Sequence, residues 1–326
     1  MGAFPQGVLG RETMHQKPPR FSLCAATALL VVCALGIDPG AQASVIAWGW
    51  NESGQTDVPA NSSAVSVDGG QAHTLALRSD GTLLGWGRPH EGQLVVPTGN
   101  DFIAVAAGGW HGIALHTNGA LSTWGYDFYG QADAPTTGSF SAIDGGRYHS
   151  IALRTDGSIA AWGRNDDGQA DAPAGSDFAS IAAGINHNLA IRTDGSLFAW
   201  GNNDFGQTDV PDGDVFIAIA GGFAHSVALL SDGSLAAWGD NSLGQTDIPD
   251  GNDFIAVSAG STHSLALRSD GSIVGWGSNG FDEIDVPTGN GFTFISTGAS
   301  HSLTIIPEPG AVFLLVAVAV AYRRKR

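Results

Sequence analysis

Cysteine, lysine and methionine are nearly absent from this chain of 326 residues. Its two cysteines, Cys24 and Cys33, both sit in an apolar stretch near the N-terminus. Nothing downstream can form a disulfide, which excludes a disulfide scaffold, a cysteine-ligated zinc cluster and a thiol nucleophile there. From Ser44 to Ile306 there is no lysine, and seven Arg stand against 28 Asp or Glu, a formal net charge of −21. Such a field repels phosphate backbones and anionic lipid headgroups, so no nucleic-acid partner is expected. The bland account is that acidity keeps an exported chain soluble and that many of these Asp form turns. A nucleophile with a base at a family spacing is also missing, as is a phosphate-cradling loop. No catalytic residue and no cofactor are expected, and the chain reads as a non-enzyme.

What is present is a repeat. Trp-Gly recurs at Trp48, Trp86, Trp124, Trp162, Trp200, Trp238 and Trp276, each 38 residues after the last. His73, His111, His149, His187, His225, His263 and His301 keep the same interval. Self-similarity at one period marks a chain of identical supersecondary units. In the unit from Phe254 to Pro287, Phe254–Ser258 is a short apolar strand and His263–Arg268 alternates with period two. Asp270-Gly271 predicts a type I′ hairpin turn, and Ser272–Gly277 a third strand. The segment ending in Asp285-Val286-Pro287 is expected as a brief fourth strand, since proline suits a sheet edge.

Both faces of these strands are apolar, so each sheet must be covered by neighbours on either side. The expected fold is all-β, a seven-bladed β-propeller of four-stranded antiparallel blades. A β-solenoid is the alternative. Phe292 to Ile306 supplies two strands without a third, and Ser44 to Gly49 a third without the first two. Joined, they complete the last blade, and the N-terminal strand closes the ring.

The two ends read as addresses. Residues 1–43 have the order of a secretory signal peptide: Arg11, Lys17 and Arg20, an apolar run from Phe21 to Ile37, then Ala41-Gln42-Ala43 as a small-residue cleavage site. A start at Met14 and an uncleaved N-terminal anchor are the alternatives. Residues 307–326 hold Pro307-Glu308-Pro309, an apolar run from Gly310 to Tyr322 and Arg323-Arg324-Lys325-Arg326. This order resembles the PEP-CTERM sorting signal of Gram-negative bacteria. The apolar run is short against the roughly 20 residues of a stable span. The resemblance implies transient membrane insertion by a short C-terminal transmembrane helix and recognition by an exosortase-type protease. Localisation to the cell envelope or extracellular matrix follows, with a generic tail anchor as the alternative.

The runs His263-Ser264-Leu265-Ala266-Leu267-Arg268, Val45-Ile46-Ala47-Trp48-Gly49 and Gly206-Gln207-Thr208-Asp209-Val210-Pro211 resemble the regulator of chromosome condensation repeat in a short bacterial form. They are similar to those of the secreted beta-lactamase inhibitory protein of the second type. The resemblance spans residues 44–306 and implies a seven-bladed propeller acting through protein–protein contact, without catalysis. It leaves the partner open, because recognition loops are the part of the repeat that varies.

Seven histidines invite a metal hypothesis. One per blade spreads them around a ring, whereas a metal needs three or four ligands converging on one ion. A structural role is expected instead, with each His bonded to backbone beside the turn between the first two strands. Asn165-Asp166-Asp167-Gly168 lacks the spaced oxygens of a calcium loop, so no metal is expected.

The turn between the second and third strands is nearly invariant as Asp-Gly or Asn-Gly, while the other turns differ from blade to blade and share the opposite face. That individual face collects Trp50, Trp110, Tyr126, Phe128, Tyr129, Tyr148, Phe205, Phe223 and Phe281, together with Arg147. Arg88, Arg164, Asn186 and Asp127 are its polar company. Exposed aromatics rimmed by polar groups mark interaction surfaces. The competing account is that the rings only plug the top of the propeller. The expectation is a monomeric binding module that captures an extracellular protein through this face. A structural component of an exopolysaccharide or biofilm matrix, with polysaccharide as partner, is the alternative, and a propeller lyase a third.

Overall fold

Each of the seven repeats folds into one antiparallel sheet in the computed structural model, which describes residues 43–60 and 62–307. The expected signal peptide up to residue 42, and the sorting signal from Glu308 onward, lie outside the described residues. In blade 1 the inner strand Ser66–Gly69 pairs with His73–Leu77, which pairs with the outer strand Leu83–Gly87. Blades 2 to 6 repeat this order, beginning at Phe102, Phe140, Phe178, Phe216 and Phe254. Blade 7 takes Phe294–Thr297 and His301–Pro307 from the end of the described chain and Ala43–Gly49 from its start. Ala43 lies opposite Pro307 and Gly49 opposite His301, so the N-terminal strand closes the ring as the repeat register requires.

The apolar core is divided into seven layers, each lying between two neighbouring blades. Leu75, Leu77 and Leu83 of blade 1, for example, meet Phe102, Val105 and Trp124 of blade 2. The layer between blades 6 and 7 draws Ile46 and Trp48 from the N-terminal strand. Truncating one of the fully buried leucines to alanine costs about 2–5 kcal/mol, the usual range for a core site that cannot collapse.

Three polar belts run around the ring. In the first, every repeat Trp donates its indole N–H to a backbone carbonyl in the loop before its blade, from Trp86 to Gln55 at 2.9 Å through to Trp48 to Glu283 at 2.9 Å. The second is a collar of backbone bonds: Gln71 N–H to Gly109 carbonyl, Gly109 to Gly146, Arg147 to Ile185, Ile185 to Gly222, Phe223 to Ser261, Ser261 to Ala299, and Ala299 back to Gly70. These seven bonds, each 3.0–3.2 Å, tie the turns between inner and middle strands into a closed circle.

The histidines form the third belt, and here the expected bonding to backbone is corrected. His111 Nε2 lies 2.8 Å from Ser150 Oγ of the next blade, and His149, His187, His225, His263 and His301 reach Asn188, Ser226, Ser264, Ser302 and Thr74 in the same way. The Ser150 hydroxyl donates to the Gln131 carbonyl, so His111 donates through Nε2–H. Burial holds these imidazoles neutral, down to about 3 for His111 and about 4 for His149, against an ordinary 6.5.

Two further expectations fail locally. The blades have three strands, not four. The segment expected as the fourth strand has its polar groups engaged elsewhere. Asn51 Oδ1 accepts from Thr56 N–H, Gln55 Oε1 accepts from Ser53 N–H, and the Gln55 carbonyl accepts from Thr74 and Trp86. Pro59 offers no N–H, and no ladder forms. The Asp-Gly turns are also not type I′. Gly81 N–H donates to the Arg78 carbonyl with φ of +80° at Gly81, while Asp80 keeps a negative φ. This is a type I turn followed by a left-handed glycine. Asp80 stays on the negative side because its carboxylate accepts from both the N–H and the hydroxyl of Thr82, which holds its pKa below the usual carboxylate value.

Candidate functional site

One end of the propeller carries the collar and the loops that follow each outer strand, and it gathers the expected aromatics into unequal groups. Tyr126, Phe128 and Tyr129 come from the loop after the outer strand Leu121–Gly125 of blade 2, and Tyr148 from the turn of blade 3. Their rings close a cycle: Tyr126 to Tyr148 at 5.8 Å between centroids, Tyr148 to Tyr129 at 5.3 Å, Tyr129 to Phe128 at 5.0 Å and Phe128 to Tyr126 at 6.4 Å. Phe128 is 77% exposed and Tyr129 40%, so the cluster is an open surface rather than a plug. Partial loss of water, and after it Tyr129 and Tyr148, push the Tyr126 hydroxyl up.

Three arginines join this sector. Arg88 lies over the Trp110 ring at 4.7 Å, Arg147 over Tyr148 at 5.1 Å and Arg164 over Tyr129 at 5.8 Å. Arg88 is paired with Glu91 at 2.9 Å and Arg164 with Asp166 at 2.7 Å. The Asp166 carboxylate raises the pKa of Arg164 further. Among the described residues Arg147 finds neither an ion pair nor a side-chain hydrogen bond.

The remaining expected residues lie apart from this cluster. Trp50 and Phe281 form their own pair at 6.1 Å, at the junction of blade 6 with blade 7. Phe205 and Phe223 are exposed and make no ring contact among the described residues. Asp127 has a structural task, accepting from Ala132 N–H at 2.7 Å. Asn165 likewise accepts from Ala170 N–H and donates to Asp171, so it belongs to the loop's own bonding. Leu243, 53% exposed, is an apolar surface residue of the same face that aromatic composition does not reveal. It occupies the register of Tyr129, Phe205 and Phe281, and this was its one signal in the sequence.

A second feature lies below the collar. Inner strands of all seven blades line a central channel of about 160 Å³. At one register position the blades carry Asp68, Ala106, Asp144, Ala182, Ala220, Ser258 and Ser296. Asp68 accepts from Ala107 N–H of the next blade at 2.7 Å and from the Ser296 hydroxyl of blade 7 at 2.8 Å. Asp144 accepts from its neighbour Gly145 and from Ala183 of blade 4, both at 2.8 Å. Both residues are half-buried at the channel wall, with the neighbouring blades around them. That enclosure pushes Asp68 up to about 6 and Asp144 to about 7, the latter helped by the charge of Asp68. Their carboxylates tie blades together, a role the repeat pattern had not suggested. Among the described residues no three His, Cys, Asp or Glu side chains are grouped to hold a metal.

Seven closed sheets around a channel, with variable loops on one end, define a β-propeller of the kind commonly used as a protein-binding scaffold. The chain belongs to the regulator of chromosome condensation (RCC1) repeat family, whose repeat matches residues 64–93, 102–131, 140–169, 178–207, 216–245 and 254–283. No curated protein matches the chain in sequence. Among solved structures, Prp20p from Saccharomyces cerevisiae is similar over 82% of this chain and 92% of its own, at 18% identity and a TM-score of 0.71. Human WBSCR16 is similar over 81% of this chain and 98% of its own, at 17% identity and 0.70. The ectodomain of the Arabidopsis thaliana receptor kinase ACR4 covers 69% of this chain and 83% of its own, at 24% identity and 0.59. At these identities the likeness is one of fold.

Proposed function

We propose that the protein is an exported, non-catalytic binding module that captures a protein partner through the aromatic and arginine sector of its loop face. The observation that carries this reading is the four-ring cycle of Tyr126, Phe128, Tyr129 and Tyr148 with Arg147 beside it. Aromatic rings and arginine supply most of the energy at protein interfaces, and such rings are costly to leave in water. The fold adds support, since yeast Prp20p, a structural neighbour, has binding properties towards Gsp1p and histones.

The strand ends bear on display. Strand His301–Pro307 runs from the loop face to the opposite face, where Ala43 pairs with Pro307. A signal peptide and a sorting tail attached at these two residues would leave the aromatic face clear. In this reading the PEP-CTERM tail carries the propeller to the envelope or matrix, and the loop face is presented outward.

The test is partner recovery from envelope extract by the wild-type chain and by the Tyr129→Ala/Tyr148→Ala double variant. Recovery that falls with the variant, at unchanged melting temperature, supports the assignment. Equal recovery removes it.

A further inference from the structure

Arg147 differs from every other arginine of the loop face. Arg88 and Arg164 are neutralised by Glu91 and Asp166 of their own loops, but among the described residues no carboxylate reaches Arg147. Its Nε is shielded from water and has no hydrogen-bond partner. The residue stands in the collar at the mouth of the channel, and its backbone N–H is fixed on the Ile185 carbonyl at 3.2 Å. Its stem is seated as well. Blade 2 alone has glycine at the equivalent collar position, and a Cβ on Gly109 would come within 3.0 Å of Arg147 Cγ. On its other side the guanidinium lies over Tyr148, next to Tyr126 and Tyr129. A planar fork held in this way is prepared to take a carboxylate by paired hydrogen bonds.

We infer that Arg147 is the anchor for a carboxylate of the partner, presented on a peptide segment beside an apolar or aromatic side chain that the tyrosines receive. This rests on the proposed binding face and names what that face reads. Ring geometry favours a peptide over a sugar. The pairs of the cycle are inclined at 51°, 52° and 84°, with one pair alone near parallel at 22°. Inclined rings make notches that fit a side chain, whereas sugars call for flat open platforms. The long-range charge narrows the partner further. Residues 44–306 carry −21, so a strongly acidic protein is repelled before contact. The partner is therefore neutral or basic overall and offers its carboxylate at one point.

The probes are two capped dipeptides, N-acetyl-Glu-Phe-amide and N-acetyl-Gln-Phe-amide, titrated at millimolar concentration against the full chain with tyrosine ring signals as readout. The expected result is tighter binding of the Glu peptide by roughly tenfold, the scale of one charge-assisted bond. Arg147→Gln should abolish the preference and Arg147→Lys should keep part of it, both at wild-type melting temperature. Equal binding of both peptides overturns the carboxylate anchor while leaving the aromatic face standing. No response to either peptide overturns both readings together. An oligosaccharide of uronic acid serves as a third probe, and Arg147-dependent binding of it without any peptide response overturns the peptide assignment.

Discussion

Trp48 donates its indole N–H to the Glu283 carbonyl at 2.9 Å, joining residues 235 apart in sequence. With the ladder from Ala43 to Gly49 it is the joint that turns an array into a ring. Trp48→Phe keeps most of the packing and removes the donor, leaving a half-shielded carbonyl with one partner fewer. The expected cost is about 1 kcal/mol in denaturant unfolding. Deleting residues 43–49 leaves strand His301–Pro307 with an open edge, and self-association should appear in sizing chromatography. A truncated chain that stays monomeric with an unchanged melting temperature would contradict the closure.

His73 is the exception in its belt. The next blade offers Gly112 where others offer a hydroxyl or amide, and both imidazole nitrogens of His73 lack a partner among the described residues. The Trp124 ring lies against Gly112 in the space a side chain would need. His73→Phe therefore breaks no hydrogen bond, while His111→Phe removes the 2.8 Å contact to Ser150. The second variant should lose about 1 kcal/mol more than the first in matched chemical denaturation. Equal losses would show that the belt contributes nothing through its hydrogen bonds.

Acid should unfold the ring through its histidines. Their folded pKa values, about 3 to about 4, lie below the unfolded 6.5, so the unfolded chain binds more protons between them. The histidine contribution is complete above 6.5 and is lost as pH falls toward 4, by about 1.4 kcal/mol per pH unit for each histidine. Denaturation midpoints measured down this range should fall steeply. A flat profile would mean that the imidazoles are not held neutral.

Asp68 and Asp144 act with the opposite sign. Their folded values, about 6 and about 7, exceed the ordinary 3.8, so the folded state binds more protons in that window. Their contribution is greatest on the acid side and shrinks as pH rises through it. Asp144→Asn removes the ionisation, and both chains keep the same histidines. The stability of the variant relative to wild type should therefore rise between about pH 4 and about pH 7 and level off above it. A difference that does not change with pH would place the Asp144 carboxyl in its ordinary range.

The repeat architecture was legible because its signals are short-range. Asp80-Gly81 makes its own turn, and the alternation of His73 to Leu77 places one face of the strand against each neighbouring blade. The fourth strand misled because Asp-Val-Pro has strand character locally, while its fate depends on what Gln55 does. That carbonyl is engaged by Thr74 and Trp86, about twenty and thirty residues later. The site was half legible. Composition placed the unmatched aromatics on one face, but Tyr126 and Trp50 read alike in sequence, and one joins a four-ring cluster while the other pairs with Phe281 alone.

By itself, the sequence determined the period, the count of blades and the closing strand, since all three follow from positions that recur every 38 residues. Only the tertiary structure decided which arginine remains unpaired, which histidine lacks a partner and which aspartates face the channel. These depend on what the next blade places opposite each residue. Contacts between blades are not written in the pattern within one, and the exceptions to a repeat become visible only when its copies are packed against each other.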